Sequence, residues 1–370
     1  MTIAHINGIG TAVPEHDIHQ PINAVLRTML PDERTRRVFD RMAEHSGIGH
    51  RYSFMGADGR TDGQEVDANG FYRRGNFPGT GARMALYETE APRLAKRAVA
   101  ALEREIPTGV LDGITHLVVA SCTGFTAPGL DLQLVKDLGL RPDVQRTLVG
   151  FMGCSAAIPA LRVAYQAVHT NPAARVLVVN LELCSLHLQE TTDLNSLLSL
   201  TLFADGASAA LVTAQPGGIA LLDFLAMIIP DSSELMTWRI GDQGFSMHLS
   251  GQVPQRIKQT LREEMEQARA NKILRGEKVQ DFDLWAVHPG GRSVLDAVET
   301  GLGLTSDDLS SSRRILHNFG NMSSATIMFV LQDMLRLHQN RHNHHDEARG
   351  LAMAFGPGMV AETFRFQMAA

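Results

Sequence analysis

The sequence predicts a layered α/β fold built from two halves. Apolar runs of strand length alternate along the chain with segments whose apolar residues recur at the spacing of an amphipathic helix. The run at 174–182 is apolar almost throughout, which is typical of a strand covered on both faces. The chain has 370 residues and exceeds the size, about 250–300 residues, at which single hydrophobic cores stop growing. A junction at Gly217-Gly218 divides it into an N-terminal half, residues 1–218, and a C-terminal half, residues 219–370.

The alternation predicts the elements of each half in order. In the N-terminal half it predicts strands at 3–9, 115–121, 174–182 and 207–213 and helices within 21–42, 91–105 and 128–140. The stretch 55–81 is rich in Gly and Asp and predicts a long surface loop. In the C-terminal half it predicts strands at 284–287, 315–319, 351–355 and 359–366 and helices at 257–268 and 325–338. The His- and Asn-rich stretch 338–346 shows no fixed ligand spacing, so we interpret it as an exposed polar loop and not as a metal site.

Composition and charge exclude several classes of partner. The net charge is -6 and the pI about 6.2, whereas a protein that mainly binds nucleic acid needs a basic face. Residues 1–14 lack the basic start and apolar run of a secretory signal. The apolar stretch 219–230 is interrupted by Asp223 and is too short to span a membrane. Only three cysteines occur, and this odd, sparse count predicts reduced thiols and a cytoplasmic protein.

The densest basic cluster has two interpretations. It consists of Arg34, Arg36, Arg37 and Arg41. A solvated helix face explains such a cluster without any ligand. The alternative is a binding site for the phosphates of a nucleotide-like cofactor, for which the guanidinium fork is suited.

Cys154 is a candidate nucleophile. It lies in the stretch 150–160, where an apolar, alanine-rich segment predicts the start of a buried helix. The unpaired N–H groups and the positive dipole end of a helix N-terminus stabilise a thiolate, and the small neighbours of Cys154 leave room for a thioester. The alternative is that Cys154 is a small hydrophobic residue of the core.

Two further polar residues share the predicted position of Cys154. His288 and Asn321 also follow short apolar runs interpreted as strands and precede helical segments. Active sites of layered α/β proteins collect at such strand ends. An imidazole pairs with a thiolate, and imidazole and carboxamide together donate hydrogen bonds to a developing oxyanion. Taken singly, His288 is explained as a satisfied core histidine and Asn321 as a helix cap.

Several longer motifs carry a resemblance to a known family. They are Gly150 to Ala157, Trp285 to Gly291 (WAVHPGG), Gly320 to Ala325 (GNMSSA) and Phe355 to Gly358 (FGPG). In this order they resemble the type III polyketide synthases of the chalcone synthase superfamily, and shorter matches extend the resemblance over nearly the whole chain. The region 79–90 resembles microbial members that make alkylresorcinols and alkylpyrones from fatty acyl starters.

The resemblance implies a homodimer with a thiolase-like fold, in which duplicated αβαβα halves form five layers. It implies acyl-CoA and malonyl-CoA as substrates, with no tightly bound cofactor and no metal. Cys154 corresponds to the residue that holds the growing acyl chain, and His288 and Asn321 to the residues that polarise the malonyl thioester. Arg41 corresponds to a residue that contacts CoA phosphates, while His45 stands where many members carry lysine.

The same resemblance assigns the residues of the substrate pocket. Phe203 corresponds to the aromatic gate between the CoA tunnel and the reaction chamber, and Met247 occupies a second gate position that is aromatic in plant enzymes. The remaining substrate-binding positions are Cys122, Cys184, His187 and Ser323. Small or flexible side chains at these positions open space for an aliphatic starter and predict pyrone or resorcinol products. In the alternatives, the cysteines merely pack in the core, or His187 narrows the pocket together with Leu186 and Leu188.

Two alternative functions remain beside the iterative synthase. A β-ketoacyl synthase III performs one condensation, but its histidine is followed by Gln-Ala-Asn, whereas Pro289-Gly290-Gly291 follows His288. A non-catalytic thiolase-fold subunit has no chemical need to keep a cysteine, a histidine and an asparagine together.

Overall fold

The structure, a computed structural model, describes residues 2–56, 63–106, 109–267, 272–340 and 347–368. The elements before residue 218 are β1 (Ala4–Ala12), β2 (His16–Asp17), α1 (His19–Met29), α2 (Glu33–Glu44), β3 (Tyr52–Ser53), α3 (Thr80–Glu105), β4 (His116–Ser121), α4 (Leu130–Asp137), β5 (Gln145–Gly150), α5 (Ala157–Thr170), β6 (Val176–Leu183), α6 (Leu194–Leu200) and β7 (Asp205–Thr213). The later elements are β8 (Ile219–Ile228), β9 (Met236–Gly241), β10 (Gly244–Leu249), α7 (Val253–Glu266), β11 (Leu284–Val287), α8 (Arg292–Leu302), α9 (Ser310–Phe319), α10 (Thr326–Gln339), β12 (Ala348–Gly356) and β13 (Val360–Met368).

The main strands repeat one arrangement in the two halves of the chain. They join in the order β11-β12-β13-β8-β1-β7-β6-β4-β5. Read outward from the central β8–β1 pair, each side has two antiparallel pairings followed by a parallel one: β1–β7, β7–β6 and β6–β4 on one side, and β8–β13, β13–β12 and β12–β11 on the other. Because this repeat is centred on β1 and β8, we propose to divide the chain between residues 218 and 219.

The helices cover the strands in five layers, as expected of the thiolase-like fold. Alternate residues of a strand face opposite ways, and Val118 of β4 packs with α5 and α10 while Val119 packs with α3. In the second half Ala286 of β11 faces α5 and α10, and Val287 faces α7 and α8. The layer of α5 and α10 therefore lies between the two sets of strands. The strand predicted at 174–182 is confirmed as β6, which is buried along its whole length.

One predicted strand and the start of one predicted helix differ from the structure. The predicted strand at 315–319 is wrong, because these residues form the end of α9. The buried residues of α9 are Ser311, Ser312, Ile315 and Leu316, so the short apolar run is one stripe of a helix. Helix α3 begins at Thr80, well before the predicted start, and buries Arg83 and Tyr87.

The stretch 55–81 is not only a surface loop. Among its described residues Met55, Val66, Tyr72 and Phe77 are buried in a cluster with α1 and α2. These apolar side chains are widely spaced in a polar sequence, so no periodicity revealed them. Of the predicted polar loop at 338–346, residues 341–346 lie outside the described residues. Within the described part of the chain, no helix has both the length and the apolar character needed to cross a bilayer.

Candidate active site

Cys154 lies in a tight turn between β5 and α5. After β5 ends at Gly150, the backbone passes through Phe151 and Gly153, both at positive φ (55° and 59°), into a 3-10 turn, Gly153–Ser155. Glycine is required at 153 because an added Cβ there would lie 2.4 Å from the Pro357 ring. The predicted buried helix follows as α5, and Cys154 itself is buried just before its first turn.

Asn321 is held beside Cys154 by its backbone and its side chain. Helix α9 ends at Gly320, whose φ is 67°, and Asn321 then forms a parallel bridge with Phe203. Its Nδ2 donates to the carbonyl of Gly290 at 3.1 Å, and its Oδ1 accepts from the Ser323 backbone N–H at 2.8 Å. Nδ2 lies 3.9 Å from the Sγ of Cys154. The side chain therefore shapes the following turn and also reaches the thiol.

His288 follows β11 and is buried without a hydrogen bond to its ring. Its exposed fraction is 2%, and neither ring nitrogen has a partner among the described residues. Buried polar atoms of a core are almost always paired, so the interpretation as a satisfied core histidine does not fit. Two unpaired nitrogens in a closed space are available to a substrate or to the neighbouring thiol.

Burial disfavours each single charge at this site. Desolvation raises the pKa of the Cys154 thiol to about 11, against smaller lowering effects of hydrogen bonds from Ser323 and Asn321. Desolvation also lowers the pKa of the His288 imidazole to about 3. A proton that moves from the thiol to the imidazole creates two opposite charges together, so the pair as a whole stays neutral.

The three side chains line one narrow space of about 30 Å³, whose wall also includes Phe203 and Met247. On one side this space shares Cys154, Phe203 and Met247 with an inner chamber of about 310 Å³. On the other side it shares a wall with an outer groove of about 590 Å³. The residues common to the space and the groove are Leu249, Gly290 and Val294. The three cavities adjoin in the order chamber, narrow space and groove; we call this series the tunnel, and the Cys154 thiol lines its smallest part.

All six residues predicted for the substrate pocket line the inner chamber. They are Phe203, Met247, Cys122, Cys184, His187 and Ser323. Cys122 is also held in place, since the Gly153 backbone N–H donates to its Sγ at 3.1 Å. Cys184 is the less buried of the two and also borders a smaller side cavity.

His187 forms a rigid wall of the chamber. One ring nitrogen, Nδ1, accepts from the Phe245 N–H at 2.9 Å, and Nε2 donates to the Thr123 carbonyl at 2.8 Å. The ring stacks on Phe245 with centroids 4.2 Å apart. Burial lowers the pKa of His187 to about 3, which agrees with this neutral tautomer. Both nitrogens are occupied, so His187 has no free base to offer a substrate.

The predicted CoA contact, Arg41, is exposed on α2 and does not border the groove. Its neighbours Met42 and His45 do line the groove, and His45 Nδ1 lies 2.7 Å from the Arg41 carbonyl. A role of Arg41 in phosphate binding stays a prediction.

Sequence reasoning missed two buried groups that support the site. Arg51 donates to the carbonyls of Leu200 and Phe203 at 2.9 and 3.0 Å and thereby fixes the backbone at Phe203. Glu182 accepts from the Thr123 hydroxyl at 2.9 Å and the Ser324 hydroxyl at 2.6 Å. Arg51 stands between His50 and Tyr52, and Glu182 ends the predicted strand at 174–182. No motif or spacing marked either one as a support of the site.

Comparison with known proteins decides the family. A model of the N-terminal domain of chalcone and stilbene synthases matches residues 2–216, and a model of their C-terminal domain matches residues 213–369. The chain belongs to this family. It is therefore a type III polyketide synthase, an enzyme of the acyltransferase type, and the family uses CoA thioesters as substrates.

Individual relatives resemble this synthase over nearly their whole length. The alpha-pyrone synthesis polyketide synthase-like Pks18 of Mycobacterium tuberculosis is 31% identical over 380 residues, which cover 99% of this chain and 92% of Pks18. The crystal structure of PKS-I from the brown alga Ectocarpus siliculosus has a TM-score of 0.87 at 29% identity and covers 100% of this chain and 99% of its own. The crystal structure of CsyB complexed with CoA-SH has a TM-score of 0.85 at 25% identity, and the match covers 99% of this chain and 100% of the CsyB chain. These matches favour the iterative synthase over the two alternative functions.

Proposed function

We propose that this synthase loads an aliphatic acyl group from acyl-CoA onto Cys154 and extends it with malonyl-CoA. The extended chain then cyclises to a pyrone or resorcinol. The observation that carries the proposal is the unpaired, buried His288 ring, which lines the same narrow space as the Cys154 thiol and the Asn321 carboxamide.

Acyl loading needs one proton transfer. The Cys154 sulfur attacks the thioester carbon of acyl-CoA while its proton passes to a ring nitrogen of His288. The bond to the CoA sulfur breaks, and the departing thiolate takes the proton back. Asn321 Nδ2, 3.9 Å from the sulfur, is near enough to donate to the oxyanion after a small movement.

Extension uses the same two donors on a second thioester. Hydrogen bonds from His288 and Asn321 to the malonyl thioester carbonyl stabilise the enolate that forms when the carbon–carboxylate bond breaks and CO2 leaves. The enolate carbon attacks the acyl carbon on Cys154, and the sulfur of Cys154 leaves as the thiolate. Phe203, at the boundary of the narrow space and the chamber, presents an apolar face that disfavours the malonyl carboxylate.

An aliphatic starter suits the shape of the chamber. Its volume of about 310 Å³ lies at the small end of ligand pockets, which span about 300–1,000 Å³. The side cavity beyond Cys184 adds about 50 Å³ between side chains such as Ile18, Met55 and Leu188. Pks18 is named for alpha-pyrone synthesis, and the aliphatic side cavity supports a product of the same kind here.

We also propose that the synthase is a homodimer in the cytoplasm. Strand β5 is one of the two edge strands of the sheet, and Leu148 on it is 47% exposed while the nearby Phe125 is 40% exposed. A sheet edge with exposed apolar side chains normally has a partner. Cys122, Cys154 and Cys184 are free thiols, in keeping with a reducing compartment.

The test is to incubate purified protein with malonyl-CoA and acyl-CoA starters of increasing chain length and to identify products by mass. We expect aliphatic triketide and tetraketide pyrones or resorcinols.

Acylation of the protein, measured by intact mass, should disappear in Cys154→Ala although Cys122 and Cys184 remain. The double variant Cys122→Ala/Cys184→Ala is the matched control and should still be acylated. Acylation of the Cys154→Ala protein, or products from aromatic starters only, would contradict the proposal.

A further inference from the structure

We propose that Arg292, at the mouth of the tunnel, binds phosphate groups of the CoA part of both substrates. The inference rests on the proposed use of CoA thioesters and names a residue that neither the motifs nor the resemblance marked. Arg292 is the first residue of α8 and borders the outer groove together with His45 and Ser293. At Gly290 and Val294 the groove adjoins the narrow space that the Cys154 thiol lines.

The Arg292 guanidinium is weakly engaged within the protein. Its side chain is 52% exposed, and Nη1 donates to the His45 carbonyl over a long 3.4 Å. Nε lies 3.7 Å from Asp296, whose carboxylate also receives Arg313 at 2.7 Å. Most of the five N–H donors of Arg292 are therefore available. A guanidinium offers phosphate two parallel hydrogen bonds, and the N-terminus of α8 adds positive potential at the same place.

The distribution of charge determines which end of the tunnel accepts phosphates. The inner chamber reaches the surface beside Glu190, an exposed carboxylate whose oxygens accept from the Gly75 backbone N–H at 2.9 Å. A phosphate would be repelled at that opening. The groove carries Arg292 and His45, and the charge of Asp296 there is shared with Arg313. The phosphates therefore lie on the groove side, with the thioester at Cys154 and the acyl chain beyond it.

The test compares thioesters with and without phosphates. For malonyl-CoA we expect Arg292→Ala to raise KM about tenfold, equivalent to about 1.4 kcal/mol, with kcat within about twofold of the wild type. Arg292→Glu should raise KM further, and Arg292→Lys should restore part of the affinity. For the malonyl thioester of N-acetylcysteamine, which has no phosphates, wild type and Arg292→Ala should share one KM. Arg93→Ala, which removes an exposed arginine of α3 that pairs with Glu90, is the control and should leave both KM values unchanged.

Two results would overturn the assignment: an unchanged KM for malonyl-CoA in Arg292→Ala, or an equal rise for both thioesters, which would indicate a distorted tunnel. Calorimetric binding of free CoA separates this inference from the proposed function. If the wild type binds CoA, Arg292→Ala binds it about tenfold more weakly, and neither condenses malonyl units, then the proposed function fails and the phosphate site stands.

Discussion

Replacing His288 by glutamine should change the reactivity of Cys154 in a way that depends on pH. We propose that in the wild type the proton of the thiol moves to the imidazole, which lines the same narrow space, so that the reactive thiolate forms without a net charge on the pair. Glutamine cannot accept that proton. The thiol is then left with burial as the dominant influence, which raises the pKa of Cys154 to about 11.

The expected magnitude follows from that pKa. At pH 7 a thiol with a pKa of about 11 is ionised to about one part in 10,000, whereas a free cysteine is ionised to a few per cent. Each pH unit increases the thiolate about tenfold, so alkylation of the His288→Gln protein should speed up about 100-fold from pH 7 to pH 9. The wild-type rate should vary far less over this range, because in our proposal His288 takes up the proton of the thiol.

The assay is alkylation by iodoacetamide, quenched at intervals and followed by peptide mass mapping of Cys154. His248→Gln is the matched control, since His248 is an exposed histidine on β10 and should leave the wild-type profile unchanged. If the His288→Gln protein reacts at the wild-type rate at pH 7, or shows no dependence on pH up to 9, then His288 does not act on the thiol.

Two further predictions concern stability. Burial raises the pKa of Glu182 from 4.5 to about 7. Between these two pH values the folded state binds more protons than the unfolded state, so the free energy of unfolding should fall by about 3 kcal/mol as the pH rises from 4.5 to 7. Asp205, whose pKa burial raises to about 6, adds to the fall in both proteins. Between urea titrations at pH 4.5 and 7.5, Glu182→Gln should therefore fall by about 3 kcal/mol less than the wild type, and an equal fall in the variant refutes the assignment. An added Cβ at Gly10 would lie 2.1 Å from the Leu102 backbone nitrogen, so Gly10→Ala should unfold at clearly lower urea, by at least about 2 kcal/mol. Gly81→Ala is the matched control, because Gly81 in α3 has open space around it, and it should raise the free energy of unfolding by about 0.5–1 kcal/mol. An unchanged free energy of unfolding in Gly10→Ala would contradict the packing described here.

Local chemistry in the sequence predicted the layered α/β fold class and marked three residues that the structure brings to one narrow space. Strand β6 was predictable because a strand covered on both faces must be apolar along its length. Cys154 and His288 were predictable because each lies at the end of a strand, where a layered fold exposes its side chains to a shared edge. Asn321 was found for a partly wrong reason, since it follows helix α9 and not a strand.

Which side chains line the tunnel, and how they are held, depends on contacts between segments that are far apart in the sequence. Arg51 donates to the carbonyl of Phe203 across about 150 positions of sequence, and no local pattern encodes such a pairing. The unpaired state of the His288 ring is likewise a property of what surrounds it. Arg292 and Arg41 look alike as charged residues in sequence, yet only Arg292 borders the groove.

The sequence by itself determined the family, the layered α/β fold and the choice of the cysteine, histidine and asparagine as candidate catalytic residues. Each of these is marked by a contiguous stretch of sequence whose local chemistry is specific. Only the tertiary structure decided the dimensions of the tunnel, the position of Arg292 beside the groove and which charged groups are buried. These properties arise from the packing of segments far apart in the chain, where desolvation and distance, not local pattern, determine the energies.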